Sequence, residues 1–240
     1  MDEEKTLLFN LGPVVFDGTI ILMCLLTIAI VFGLVFWASR DLKLKPKGKQ
    51  NVLEWVIDFV SSIVKDNLSS KELPVFQLFM FTVFSFLIVA NNLGLVTKIV
   101  VSNDISLWKS PTADAVVALT FSLIIALFCN YMGVKRFGFK GYLVNSFLRP
   151  VPFIAPMKII EEFTNLLTLG LRLYGNIFAG EVLLSLICKF GLSHGPFLVP
   201  LGIFLEMLWT GFSIFISCIQ AYIFIILTNS YLSHKILAEH

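Results

Sequence analysis

Apolar residues in this chain come in long runs, not in the short-period stripes of water-facing elements. No charge occurs between Asp17 and Arg40, and Thr19 to Trp37 reads as a helix able to cross a bilayer, whose core of about 30 Å needs about 20 apolar residues. It starts too late, and lacks the basic lead and small-residue cleavage site, for a removable signal peptide. Leu73 to Thr97 and Ala115 to Val134 are further uncharged runs. A fourth apolar stretch, Phe163 to Cys188, contains Arg172 and Glu181, and its helix is taken to begin near Glu161. A fifth, Phe197 to Leu232, contains Glu206 and is long enough to lie strongly tilted. The pattern predicts an all-α integral membrane protein, a single membrane domain over 1–240 with five helices at about 19–37, 73–97, 115–134, 161–188 and 197–232.

Residues 50–68 follow another rule. Val52, Trp55, Val56, Phe59, Ile63 and Val64 recur at helical spacing, and Glu54, Asp58, Ser61, Ser62 and Lys65 occupy much of the opposite face. This is the pattern of an amphipathic helix on the membrane surface; the alternative is a loop helix packed on protein.

Composition agrees. Of 240 residues 57% are hydrophobic and 14% charged, against about 25% charged in soluble domains, and mean hydropathy is +0.88. A soluble globule of this size would leave large apolar patches in water. A net charge of +2 without a compact basic face argues against nucleic acid. Loop charges set the direction. Arg40 to Lys49 holds five basic residues against Asp41, and Lys135 to Lys158 holds five with no acid, whereas Lys98 to Asp114 is balanced and the amino end is acidic. Both basic loops lie inside when the amino terminus is outside and the carboxy terminus cytoplasmic.

Classical catalytic chemistry is missing its residues. Cys24, Cys129, Cys188 and Cys218 sit in apolar runs without CxxC spacing, which reads as small buried hydrophobes. His194 lies between two runs, with His234 and His240 in the tail. No phosphate loop, nucleophile elbow or HExxH occurs, so no cofactor, metal or nucleotide site is expected.

The charges inside the runs therefore hold the interest. A central membrane arginine costs about 2.5–3.5 kcal/mol on insertion scales, and its guanidinium stays charged. With the helix beginning at Glu161, Arg172 is about 16 Å along its axis, which calls for a counter-charge or a wet cavity. Glu161, Asn165, Thr168, Arg172 and Asn176 form one polar stripe, while Glu181, nine residues past Arg172, falls on the opposite side and leads outward through Ser185 and Lys189. In the last run Glu206, Thr210, Ser213, Ser217 and Gln220 make a second seam. Packed antiparallel, the two helices could bring Glu181 near Glu206 or Ser213, and Arg172 near Gln220. Such groups can also simply join helices, the better account for Thr210 or Ser217 alone; Arg172 and Glu181 together point to an ion pathway.

The run from Leu169 through Arg172, Tyr174, Gly175, Asn176 and Gly180 to Glu181 strongly resembles the signature of subunit a of the F-type ATP synthase, and so does Gln220 to Phe224. Pro111 to Asp114 and Lys45 to Gly48 are weaker matches, and Ile159 to Phe163 looks like the bacterial, Gram-positive branch. The resemblance implies a stator subunit of the membrane sector in the cell membrane, not an enzyme on its own. Its partners would be the rotating c-ring, the peripheral-stalk subunit b and the rest of the complex. Arg172 would be the essential stator arginine, Asn176 its polar neighbour, Glu181 the acid of the outer half-channel and Gln220 the residue facing the arginine. Ser213 stands where some members carry His, so the outer relay would use Glu181 with Glu206 and water. Glu161 or Glu162 would belong to the inner half-channel, and the last two helices would lie inclined along the ring. A stand-alone transporter would instead want internal repeats and broken helices, and an intramembrane enzyme a nucleophile–base pair. No repeat relates the halves, and Pro150, Pro152 and Pro156 precede the arginine helix.

Overall fold

The computed structural model describes residues 8–11, 14–40, 42–65, 73–96, 100–101, 105–106, 110–148, 153, 155–193 and 199–236. The acidic amino end, Asp41, Lys98, Asp104, Arg149, Pro150, Pro152, His194 and His240 lie outside them. Helices dominate. They are α1 (Gly18–Ser39), α2 (Lys49–Lys65), α3 (Leu73–Val96), α4 (Ala115–Leu143), α5 (Ala155–Ser193) and α6 (Val199–Ile236). All except α2 are long and apolar enough to cross a membrane. Short antiparallel ladders pair β1 (Leu8–Leu11) with β2 (Val14–Asp17) and β3 (Val100–Val101) with β4 (Ile105–Ser106).

The boundaries follow local chemistry. Asp17 caps α1, its Oδ1 accepting from the Thr19 amide at 2.9 Å. Gly48, at φ +63°, makes the left-handed turn that admits α2. The third span was expected to end at Val134, but α4 continues through Lys135 and Arg136, both good helix formers, and kinks at Gly138 (φ 71°, ψ 164°). The arginine helix starts six residues before Glu161, at Ala155. Pro156 thus opens the helix instead of preceding it, because an amide in the first turn needs no partner. Arg172 consequently lies 17 residues, about 26 Å, into α5 and not about 16 Å. The last helix reaches Ile236, so His234 belongs to α6 and not to a tail.

Packing falls into two units. One contains α1, the later part of α3 from Ser85, residues 110–114, α5 from Leu173 and α6 to Ala221. Here the Pro111–Ala113 turn is locked to α3. Ser110 Oγ donates to the Ala90 carbonyl at 3.0 Å, and Thr112 Oγ1 to Asn91 Oδ1 at 2.8 Å. Gly94 lies so close to Ser110 that a Cβ would overlap it, which is why that position has none. In the same unit a Cβ on Gly202 would come within 2.8 Å of Gly191 Cα, so a glycine pair brings α5 and α6 together near their connection.

The other unit contains α2, α3 to Phe84, α4, α5 to Arg172 and α6 from Tyr222. Val60, Ile63 and Val64 of α2 are buried, Phe59 packs on the rings of Phe84 and Tyr222, and Asn229 Nδ2 donates to the Ile63 carbonyl at 2.6 Å. Thus α2 is packed on protein along one edge, with Ser61, expected on the polar face, buried too. Val52 and Trp55 remain exposed. Gly170 lets α4 approach α5, since a Cβ there would meet Ser122 Oγ at 2.8 Å and Leu119 Cα at 3.1 Å. Gly170→Leu is expected to push these helices apart at about 1–3 kcal/mol of strain. Immunoblots of the membrane fraction should then show a severalfold loss of chain; unchanged levels would mean that this contact yields easily.

Candidate functional site

The polar stripe of α5 lies largely on its open side. Glu161, Thr168, Arg172 and Asn176 are exposed and Asn165 is half-buried, with exposed Leu171, Gly175 and Ala179 beside them. Arg172 forms no ion pair or hydrogen bond with a described residue. A permanent cation exposed on an apolar helix, without an ion pair to a described residue, needs charge or water from elsewhere. A Cβ on Gly175 would meet no atom within 4 Å, so the chain's own packing does not explain that glycine.

Beyond Arg172 in the chain, α5 and α6 enclose a cavity of about 80 Å³. Asn176 and Gly180 line it from α5; Trp209, Ser213, Ser217 and Gln220 line it from α6. Asn176 Nδ2 donates to Gln220 Oε1 at 3.1 Å, and Trp209 Nε1 to the Gly180 carbonyl at 3.1 Å. The second seam thereby meets the first: Gln220 engages the arginine stripe one turn past Arg172, at Asn176. Ser213 Oγ, Ser217 Oγ and Gln220 Nε2 are buried and have no hydrogen-bond partner among the described residues. Buried polar atoms normally have partners, and a void of this size with these polar atoms on its wall has room for water.

Glu181 and Glu206 are both half-buried and do not line this cavity, contrary to the grouping expected around Ser213. The helix period explains it. Glu181 follows Gly180 by about 100° of rotation, away from the Asn176–Gly180 edge, and Glu206 lies two turns, about 10 Å, before Ser213.

Before Arg172 in the chain, a larger cavity of about 220 Å³ opens among α4, α5 and α6. Glu161, Glu162 and Asn165 line it from α5, and Tyr231, His234 and Lys235 from α6. Lys235 Nζ pairs with Glu162 Oε2 at 2.5 Å and stands 5.6 Å over the Tyr142 ring. Tyr142 Oη in turn donates to Asn130 Oδ1 at 2.6 Å. Both candidate glutamates thus face one polar space. The sequence reading missed Trp209, Tyr142 and Lys235. A lysine and a tyrosine beside apolar runs resemble interface anchors, and only tertiary packing distinguishes the two uses.

Among the described residues no group of side chains could hold a metal. Cys129 is buried as expected, but Cys188 and Cys218 are exposed. A membrane helix tolerates this because its outer face is apolar too.

Comparison with known proteins agrees along the chain. The family model "ATP synthase A chain" matches residues 21–233. ATP synthase subunit a of Enterococcus faecalis is 61% identical over 237 residues, covering 99% of both chains. The Enterococcus hirae protein of the same name is 58% identical with the same coverage, and that of Streptococcus gordonii 49% identical over the full length of both. With its five apolar helices of spanning length and this match from end to end, the chain belongs to the ATP synthase A chain family of multi-pass membrane proteins.

Proposed function

We propose that this chain is the stator subunit of the membrane sector of a bacterial F-type ATP synthase, passing protons through two offset half-channels to and from carboxyls on a rotating c-ring. One observation carries the reading. Arg172 is exposed on a long apolar helix without an ion-pair partner among the described residues, and α5 contributes to one polar cavity before it in the chain and to another after it.

The larger cavity would be the inner half-channel, entered from the cytoplasmic side that the basic loops indicate, with Glu161 or Glu162 as its proton-carrying acid. The smaller would belong to the outer half-channel. Its water, held by Ser213, Ser217, Gln220 and Asn176, would carry protons where some relatives place a histidine, and Glu181 and Glu206 would extend the route. Each ring carboxyl, arriving opposite Arg172, would be favoured in its ionised form by the guanidinium and give up its proton. The same fixed charge would oppose a cation moving straight from one half-channel to the other. An ion loaded on one side would leave on the other only after near-complete rotation. One charge crossing 100 mV supplies about 2.3 kcal/mol, so several per turn drive synthesis in the soluble sector.

Beside Arg172, Gly175 and Ala179 on the exposed strip of α5 leave room for a ring helix, and subunit b would hold the chain still. Affinity capture of a tagged chain from mild detergent is expected to bring down a ring of small hairpin subunits together with ATPase activity. Capture of the chain alone, from membranes that contain that ATPase, would count against the stator reading.

A further inference from the structure

We propose that Lys235 is a positioning residue of the larger cavity: its ion pair with Glu162 latches the end of α6 to α5 and keeps Glu162 out of proton exchange, leaving Glu161 as the carboxylate that passes protons there. This rests on reading the cavity as a half-channel. The latch is built from three helices. Lys235 Nζ meets Glu162 Oε2 while standing over the buried Tyr142 ring, which is fixed by its bond to Asn130. A Cβ on Gly133 would lie 2.7 Å from Tyr142 Cε2 and 3.2 Å from the Lys235 carbonyl, so α4 closes tightly on both. The lysine side chain is only 13% exposed and the glutamate 31%.

Charges this enclosed have given up much of their water, and removing either leaves the other uncompensated. A proton carried by Glu162 would have to discharge that carboxylate beside a lysine still positive, breaking the pair at every passage. Glu161, the adjacent residue, is turned about 100° around the helix. It is exposed, lines the same cavity and forms no ion pair with a described residue. The other ionisable groups facing this space are Lys158 on α5, Tyr231 and His234 on α6, and Cys129 on α4. Two neighbouring carboxyls thus have different surroundings, the arrangement by which one protein separates two acid roles.

Passive proton conduction through vesicles stripped of the soluble sector tests this, with immunoblots for assembled chain. Glu161→Gln should conduct at least tenfold less than wild type at normal assembly. Glu162→Gln and Lys235→Met should each lower assembly or conduction severalfold. The double variant, which leaves neither charge unpaired, should return both to within about twofold of wild type, as should Lys235→Arg alone. A double variant no better than the singles overturns the latch, and normal conduction in Glu161→Gln overturns the division of roles. The half-channel reading is checked separately with Asn165→Cys in a chain whose native cysteines are alanine. If that thiol does not react with a membrane-impermeant reagent applied from the cytoplasmic side, the cavity is no aqueous entry and the proposal falls with that reading. Reaction there together with a failed double variant removes the latch alone.

Discussion

Arg172→Ala is expected to abolish ATP-driven acidification of inverted membrane vesicles while the complex stays assembled and still hydrolyses ATP. The residue is exposed and makes no hydrogen bond or ion pair with a described residue, so its removal costs the fold little. On the proposed reading, what disappears is the fixed positive charge that would face the ring. A carboxylate about 4 Å from a cation gains about 4 kcal/mol at an effective dielectric of 20, close to a thousandfold in the balance between its ionised and protonated forms. Without it the proposed ring carboxyl would have no reason to release its proton there, and nothing would oppose a cation slipping between the proposed half-channels. Fluorescence quenching in vesicles should be lost, with immunoblot signal and ATPase activity near wild type. Normal pumping by the variant would make Arg172 a packing residue and remove the central assignment.

The second large effect is expected from filling the smaller cavity. Ser217 is 1% exposed, and its hydroxyl lines a space of about 80 Å³ without a hydrogen-bond partner among the described residues. Ser217→Leu puts a branched apolar side chain where water would stand, leaving Ser213 Oγ and Gln220 Nε2 nearer to carbon than to oxygen. A proton path through this space should lose at least tenfold in conduction. Ser217→Ala removes only the hydroxyl and keeps the room, so conduction should stay within about twofold. Measured side by side in stripped vesicles, a leucine variant that conducts like the alanine one would show that the path does not run through this cavity.

Much of this was legible in the sequence because the bilayer imposes a strong code. Charge-free runs of about 20 residues locate spans regardless of what they touch. The stripe from Glu161 to Asn176 was visible because the helical period puts those positions on one side, and α5 does present them there. Boundaries were less legible. Lys135, Arg136 and Pro156 read as helix limits by charge and by proline, yet α4 runs through the first two and α5 begins with the third. A helix needs neither apolar residues nor a proline-free first turn once tertiary contacts hold it.

The sequence by itself determined the class of protein, the five spans, the family resemblance and the unusual Arg172. These depend on hydropathy, length and local order, properties each segment has alone. Tertiary structure decided which polar residues share a space. It joined Gln220 to Asn176, separated Glu181 and Glu206 from the Ser213 cavity, and bound Glu162 to Lys235, 73 positions later in the chain. Periodicity fixes the direction of a side chain around its own helix but not the rotation or offset of the helix facing it. Those are set by close contacts such as Gly191 with Gly202 and Gly170 with Leu119, where the absence of a side chain lets backbones meet.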